Sequence, residues 1–509
     1  MTSKYLTTGI FSFFFILISC TVYCQPQNKE TLKKKAIADV AANPDDLKAH
    51  EAYIDAMDIK DPALAAQYET WMKVFPKSGI VPFAIGKAYE EHDQLGFEKY
   101  LLAAVKLKPG LAEAWALLSR KASLSGDSVM AVEYMQHATL SEPKNADYAY
   151  YSVSLHQNGD PAKYDSLMLN VAYRFPDSER GAQALNNVAS LTYNQNEKIA
   201  YYDALFNLFS KQQSGWFISG MRDYYDYLLN TNPNQAFSLA LKMVLVIKVN
   251  RQDWKQRFVI ARDFIEAHKL LASGKPADAL AILNRIDLKN KIMSAAINAD
   301  ESLALFKAEA MAANNKTRDA YDSLASFYSK APSDKLHQSL IKYTLKLNID
   351  SNKVDTDIWA IRNKAAWKET NFTLQSYVDN QPESLAHYRG KVVLLTYWFP
   401  SCGPCRLEFP HFEAVLKKLN NKNVAYLAIN IFNQDQDAVM PLVKNSGYTF
   451  IPLRDAPDKL KGNLPEVRIA PANFLIDQHG RVVFSDFQID GKNERTLELM
   501  ISELLKMGS

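Results

Sequence analysis

The pattern of apolar and polar positions changes once along the chain. From about residue 25 to residue 350 apolar residues recur at helical spacing, helix after helix. The later helices are predicted over residues 252–272, 277–285, 302–313, 318–328 and 336–347. From residue 371 onward short apolar runs alternate with amphipathic ones. Strands are predicted over 372–374, 391–398, 424–431, 472–477 and 481–485. Gln478-His479-Gly480 is a tight-turn signal that joins the last two. Helices are predicted over 407–419, about 438–445, and 494–507. The chain is therefore expected to be multidomain, with an all-α solenoid over 25–350 and an α/β domain over 371–509. Between them, residues 351–370 lose the helical period and are expected to be a linker. Trp359 and Trp367 suggest that this linker docks rather than floats.

The helical part has a period. Pro44, Pro76, Pro109, Pro143 and Pro176 follow one another at intervals of 32, 33, 34 and 33 residues. That is the spacing of tetratricopeptide repeats, which this region resembles in period and residue type. The unit before Pro143 fits best, with Trp115, Leu118, Ala122, Ala131, Met135 and Ala138 as large and small packing residues. The unit before it offers Ile85, Gly86 and Tyr89, then Leu102 and Val105. Small residues let two helices approach, and large ones fill the groove between them. Beyond Pro176 the period blurs, and the reading is one solenoid with degenerate later repeats. The alternative is a non-repeating helical bundle. Tyrosines such as Tyr148, Tyr150, Tyr151, Tyr201, Tyr202, Tyr224, Tyr225 and Tyr227 are expected mostly to pack between helices. Some are expected to line a concave face that binds partners.

Composition narrows the class only a little. Across 509 residues the net charge is +3, which argues against a nucleic-acid surface. The first 24 residues read as an export signal, with Lys4 ahead of an apolar run over 10–18. That run is too short to span a bilayer, which takes about 20 residues. Leu17-Ile18-Ser19-Cys20 resembles a lipobox, which would put a lipid anchor on Cys20. Val22-Tyr23-Cys24 before Gln25 resembles a simple cleavage site, and this reading is preferred. The mature chain is then expected in the periplasm or cell envelope. It would keep only Cys402 and Cys405 of its four cysteines.

Those two cysteines carry the chemistry. Cys402-Gly403-Pro404-Cys405 follows the apolar run Val392-Val393-Leu394-Leu395 and precedes a helix. A thiol at a helix N-terminus meets unpaired N–H groups and the positive end of the dipole, which favour a thiolate. The second thiol lies about one turn on and can close a disulfide. Cys402 is thus expected to attack and Cys405 to resolve the mixed disulfide. A zinc site would need a second pair of ligands. A purely structural disulfide over so short a loop would be strained. No metal and no cofactor beyond the Cys402–Cys405 disulfide are expected.

The α/β part resembles the TlpA/ResA group of thioredoxin-like thiol–disulfide oxidoreductases. The likeness rests on Phe372-Thr373-Leu374, on Tyr388 to Leu394, on Trp398 to Arg406 with Glu408 and Pro410, and on Pro471 before Phe474-Leu475-Ile476-Asp477 and Gly480. It implies a cis bond before Pro471, packed against the redox disulfide. It also implies that the backbone of Ile469 and Ala470 pairs with an extended substrate. Pro410 should kink its helix.

Three positions depart from the pattern. Thr396 stands where many thioredoxins have a buried acid, Asn433 where relatives place a glutamate, and Ser401 where a tryptophan is common. Neither Thr396 nor Asn433 can be a carboxylate base for Cys405. Glu466 is a weak substitute. His411 is expected to face away from the thiols and Arg406 to face solvent.

The function expected is reduction of client-protein disulfides, with a Gly-Pro spacer that favours a potential of about −270 mV. A membrane thiol donor would supply electrons and the solenoid would hold clients. The alternative is an envelope binding or assembly scaffold in which the solenoid is the working part.

Overall fold

The computed structural model describes residues 26–157, 159–288, 299–367, 371–432, 434–456, 467 and 469–507. The export signal read over 1–24, with Cys20 and Cys24, and also Asn433 and Glu466, lie outside the described residues. The chain divides into two compact units, Met1–Pro109 and Gly110–Ser509.

The first unit is helical: α1 (Pro26–Ala42), α2 (Leu47–Asp55), α3 (Pro62–Val74), α4 (Ile80–Glu91) and α5 (Phe97–Leu107). Its core gathers around Trp71, whose ring meets Tyr53 at 4.8 Å and Tyr68 at 5.0 Å. Gly86 lies where α4 and α5 come together. A Cβ there would lie 2.9 Å from a Leu101 methyl carbon, so only glycine lets α4 and α5 close to this distance.

The second unit begins with fourteen described helices: α6 (Ala112–Leu124), α7 (Ser128–Ser141), α8 (Ala146–Ser154), α9 (Pro161–Arg174), α10 (Glu179–Leu191), α11 (Gln195–Phe209) and α12 (Gly215–Thr231), then α13 (Pro233–Val246), α14 (Arg251–Ala272), α15 (Pro276–Leu283), α16 (Ala299–Ala313), α17 (Thr317–Tyr328), α18 (Asp334–Leu347) and α19 (Lys353–Ala365). The periodic prolines act as expected. Phe75, Lys108, Glu142 and Phe175 each end a helix outside the α region, and each directly precedes a proline. Most of the tyrosines pack: Tyr150, Tyr202, Tyr224 and Tyr225 are buried, and Tyr151 is partly exposed under the Arg180 guanidinium.

The linker expected over 351–370 is not a spacer, because α19 occupies most of it. Val354, Ile358 and Arg362 are buried at four-residue spacing on one face. The first two join a cluster with Tyr321, Leu324 and Tyr328. The helical period was hard to see because its third member is an arginine. Beyond α19, the Trp367 amide donates to the Val482 carbonyl at 3.1 Å, so this stretch docks.

The α/β domain holds β1 (Thr373–Gln375) and β2 (Pro382–Ser384) as an antiparallel pair. Then come β3 (Val392–Trp398), α20 (Gly403–Leu419), β4 (Val424–Asn430), α21 (Gln436–Ser446), β5 (Ile451–Arg454), β6 (Ala472–Ile476), β7 (Val482–Phe487) and a last helix, α22 (Glu494–Met507). The main sheet runs β5-β4-β3-β6-β7. β3 pairs in parallel with β4 and antiparallel with β6. It is central and covered on both faces. Val392 and Leu394 belong to one core, while Val393, Leu395 and Tyr397 belong to the other. That is why its sequence reads as a continuous apolar run. β5 was not predicted. It has four residues and contains Pro452, which an edge strand tolerates because one side needs no ladder bond.

Candidate active site

The end of β3 delivers the redox motif. The Cys402 amide donates to the Phe399 carbonyl at 3.0 Å, closing the turn out of the strand. Cys402 then caps α20, and its Sγ accepts the Cys405 amide at 3.2 Å. Pro404 sits in the first turn of the helix, where a missing N–H costs nothing. Cys402 and Cys405 are joined as a disulfide, with Cα atoms 5.3 Å apart. Both sulfurs are buried, whereas Ser401, Gly403 and Pro404 are exposed. The N–H group that holds the Cys402 sulfur is the one a thiolate would need after reduction. Pro410 lies within α20, which runs on to Leu419. Trp398 backs the motif from inside, in edge contact with Phe409 at 5.2 Å and Phe450 at 5.5 Å.

Behind the disulfide lies a buried polar chain. The Thr396 hydroxyl donates to Asn473 Oδ1 at 2.9 Å. Asn473 Nδ2 donates to both oxygens of Glu408, at 3.2 and 3.1 Å. The Ile489 amide adds a bond to Glu408 Oε1 at 2.8 Å. Burial raises the Glu408 carboxyl to about 7, against the lowering effect of these donors. Glu408 lies three residues after Cys405 on α20, and both side chains are buried. Residues at this spacing share a helix face. A buried carboxylate, absent at 396, thus stands on the helix three residues after Cys405. The sequence held its one signal, an acid at i+3 from the second cysteine beside Phe409.

The substrate ridge expected at Ile469, Ala470 and Pro471 stands at the same end of the sheet. β6 pairs Ala472 with Tyr397, so Pro471 lies just past the last pair, beside the start of the motif. The Ala470–Pro471 bond is cis. Ile469 is 81% exposed, while Ala470 packs against the core that contains both cysteines.

His411 is turned elsewhere and pairs with Glu494 at 2.7 Å. Arg406 differs from expectation. Its guanidinium does not face solvent but donates to the Ser123 carbonyl at 2.6 Å, and burial lowers its basicity. Among the described residues, no group of three or more His, Cys, Asp or Glu side chains is placed to hold a metal ion.

Residues 364–500 match the Redoxin family. The match brackets the sheet, the disulfide and the cis-proline loop together. The chain is 31% identical over 113 residues to the thiol-disulfide oxidoreductase ResA of Bacillus subtilis, covering 22% of this chain and 62% of that protein. It is 29% identical over 147 residues to the ResA of Halalkalibacterium halodurans, covering 28% of this chain and 78% of that one. The chain thus spans less than two thirds of the length of the first relative. The solved structure of StoA from Bacillus subtilis aligns at 20% identity and TM-score 0.22, over 25% of this chain and 94% of that one. The Redoxin domain resembles ResA-type proteins, as the motif around Cys402 led one to expect. No described helix is long and apolar enough to cross a membrane.

Proposed function

We propose that this chain is an exported thiol–disulfide oxidoreductase that reduces disulfides of client proteins in the bacterial cell envelope. The observation that carries the proposal is Cys402, at the N-cap of α20, bonded to Cys405 and accepting its amide proton. In the reduced pair the Cys402 thiolate attacks a client disulfide. A Cys402–client disulfide forms and one client sulfur leaves as a thiolate. Cys405 then gives its proton to Glu408 and attacks the Cys402 sulfur. The internal disulfide closes and the second client sulfur leaves. Two electrons pass from the cysteine pair to the client. A membrane thiol donor returns the pair to its reduced form.

The backbone of Ile469 and Ala470 pairs with the client, and Gly403 with Pro404 sets the close spacing of the thiols. The helical region works as a tetratricopeptide-like holder of clients. Export rests on Lys4 and the apolar run over 10–18, followed by release before Gln25 or lipid anchoring at Cys20. The test is reduction of insulin by the reduced full chain. Activity that Cys402→Ser abolishes supports the proposal. An inactive wild type that folds normally would favour the scaffold alternative.

A further inference from the structure

Among the described residues, three of the places where the Redoxin domain meets helices of its own unit lie near α17, α10 and α6. Near α17, buried Arg362 donates to the Ser329 carbonyl at 2.8 Å and pairs with Glu503 of α22. The Tyr328 hydroxyl donates to the same carboxylate at 2.5 Å. Near α10, Lys492 donates to the Ser190 carbonyl at 2.7 Å. At the end of α6, Arg406 donates to Ser123 and Asn445 to the Ser125 carbonyl at 2.8 Å, while Lys121 pairs with Asp437 of α21. Ser123 and Ser190 lie in the last turns of α6 and α10. Carbonyls there sit at the negative end of the dipole, so cations are favoured; that of Ser123 also accepts the Gly126 amide at 3.0 Å, and that of Ser190 also accepts Lys198. Gly126 makes the third contact close. A Cβ there would meet Ser446 Oγ at 3.0 Å and the Leu442 carbonyl at 3.2 Å, and φ of 73° favours glycine.

This third contact ends on the redox helix itself. Arg406 directly follows Cys405, within the first turns of the helix that Cys402 caps. A guanidinium held out of bulk water is screened less than one on a mobile surface side chain. Its field therefore adds to the N-terminal dipole that favours a Cys402 thiolate.

We propose that the α6–α7 turn is a working part of the redox site: by holding Arg406 against the start of α20, it keeps Cys402 reactive. Arg406 is a positioning residue in this scheme and touches no reacting atom. The proposal deepens the oxidoreductase reading and rests on it. It makes the helical array a regulator of the cysteine pair as well as a holder of clients. Whatever displaces the α6–α7 turn would slow the chemistry.

The test uses the full-length chain and reads the pH midpoint of Cys402 alkylation in the reduced protein. Lys121→Glu sets like charges against Asp437 and should loosen the contact. The midpoint should rise by about half a unit, about a threefold loss of thiolate below it. Adding Asp437→Lys restores an opposite-charge pair and should bring the midpoint back. Arg406→Gln should raise it equally, and Lys121→Glu should add nothing in that background. An unchanged midpoint in folded Arg406→Gln overturns the proposal, even if Lys121→Glu fails to fold. A shift in Lys121→Glu that Asp437→Lys does not reverse overturns it too. Insulin reduction by the wild type is read separately, so failure of the oxidoreductase reading is distinguishable from failure of this one.

Discussion

Thr396 on β3 and Asn473 on β6 face each other across an antiparallel register and share a buried hydrogen bond of 2.9 Å. Through it a hydroxyl orients the amide that holds Glu408. A position without an acid thus serves the acid that lies one layer away.

Glu408 gives the first prediction. Its carboxyl stands at about 7, raised from an ordinary value of about 4.3 by burial. Near neutral pH it can accept the Cys405 proton. Glu408→Gln should lower turnover at pH 7 by about tenfold to a hundredfold. The residual rate should climb with pH as the Cys405 thiol ionises unaided. Stability carries a second signature. Between about 4.3 and 7 the folded state keeps a proton that the unfolded state has lost. This carboxyl therefore destabilises the fold increasingly as pH rises through that window, by about 4 kcal/mol at most. Urea unfolding of Glu408→Gln should show a flatter pH dependence there. An unaltered slope and rate would remove Glu408 from the mechanism.

Thr396→Val keeps the shape and deletes the hydroxyl. It leaves Asn473 Oδ1 buried without that donor, which should cost about 1–3 kcal/mol. With the amide less firmly oriented, the Glu408 carboxylate loses support, so the pH–rate profile should move upward. Denaturant midpoints and pH profiles of the one variant check both effects.

Arg362 tests how firmly the Redoxin domain is seated. Its guanidinium is buried, pairs with Glu503 and lies 4.9 Å from the Phe484 ring. Glu503→Ala removes one partner and leaves a buried cation, a change that costs about 3–5 kcal/mol in fully buried pairs. Glu503 keeps some exposure, so about 2–3 kcal/mol is expected. Hydrogen exchange should quicken in both α19 and α22. Loss confined to α22 would mean that the helices and the Redoxin domain open independently.

Ile469→Pro removes one backbone donor from the exposed ridge. Reduction of insulin should fall about tenfold, as expected if main-chain bonds carry the affinity. Reduction of a small aromatic disulfide, which needs no strand pairing, should hold. Equal losses on both substrates would place the effect on the thiols and not on recognition.

Much of this was legible in the sequence, and the exceptions share a cause. The Val392–Leu395 run and the Cys-Gly-Pro-Cys spacing are local signals, and local rules sufficed for them. The proline period marked helix ends because the residue before a proline is disfavoured in the α region. Arg406 and α19 were misjudged, and Glu408 was given no role, because tertiary partners decide what they do. An acid, an arginine and an arginine-bearing helix face all look like solvated surface until Asn473, Ser123 and Glu503 stand opposite them. β5 hid behind Pro452, which only its edge position allows.

The mixed disulfide provides the last prediction. It persists only while no second thiol attacks it. Cys405→Ser removes that thiol and leaves Cys402 at the cap of α20, still competent to capture a partner. The variant should accumulate covalent complexes that a reducing agent releases, visible as slow bands on a non-reducing gel. Replacing Cys402 as well should abolish them. In the wild type, alkylation of the reduced protein at pH 7 should mark Cys402 before Cys405, since Cys402 has the helix N-terminus and Cys405 holds its proton until Glu408 takes it. Equal labelling of the two cysteines, or complexes that survive loss of Cys402, would reverse the assignment of attacking and resolving thiols.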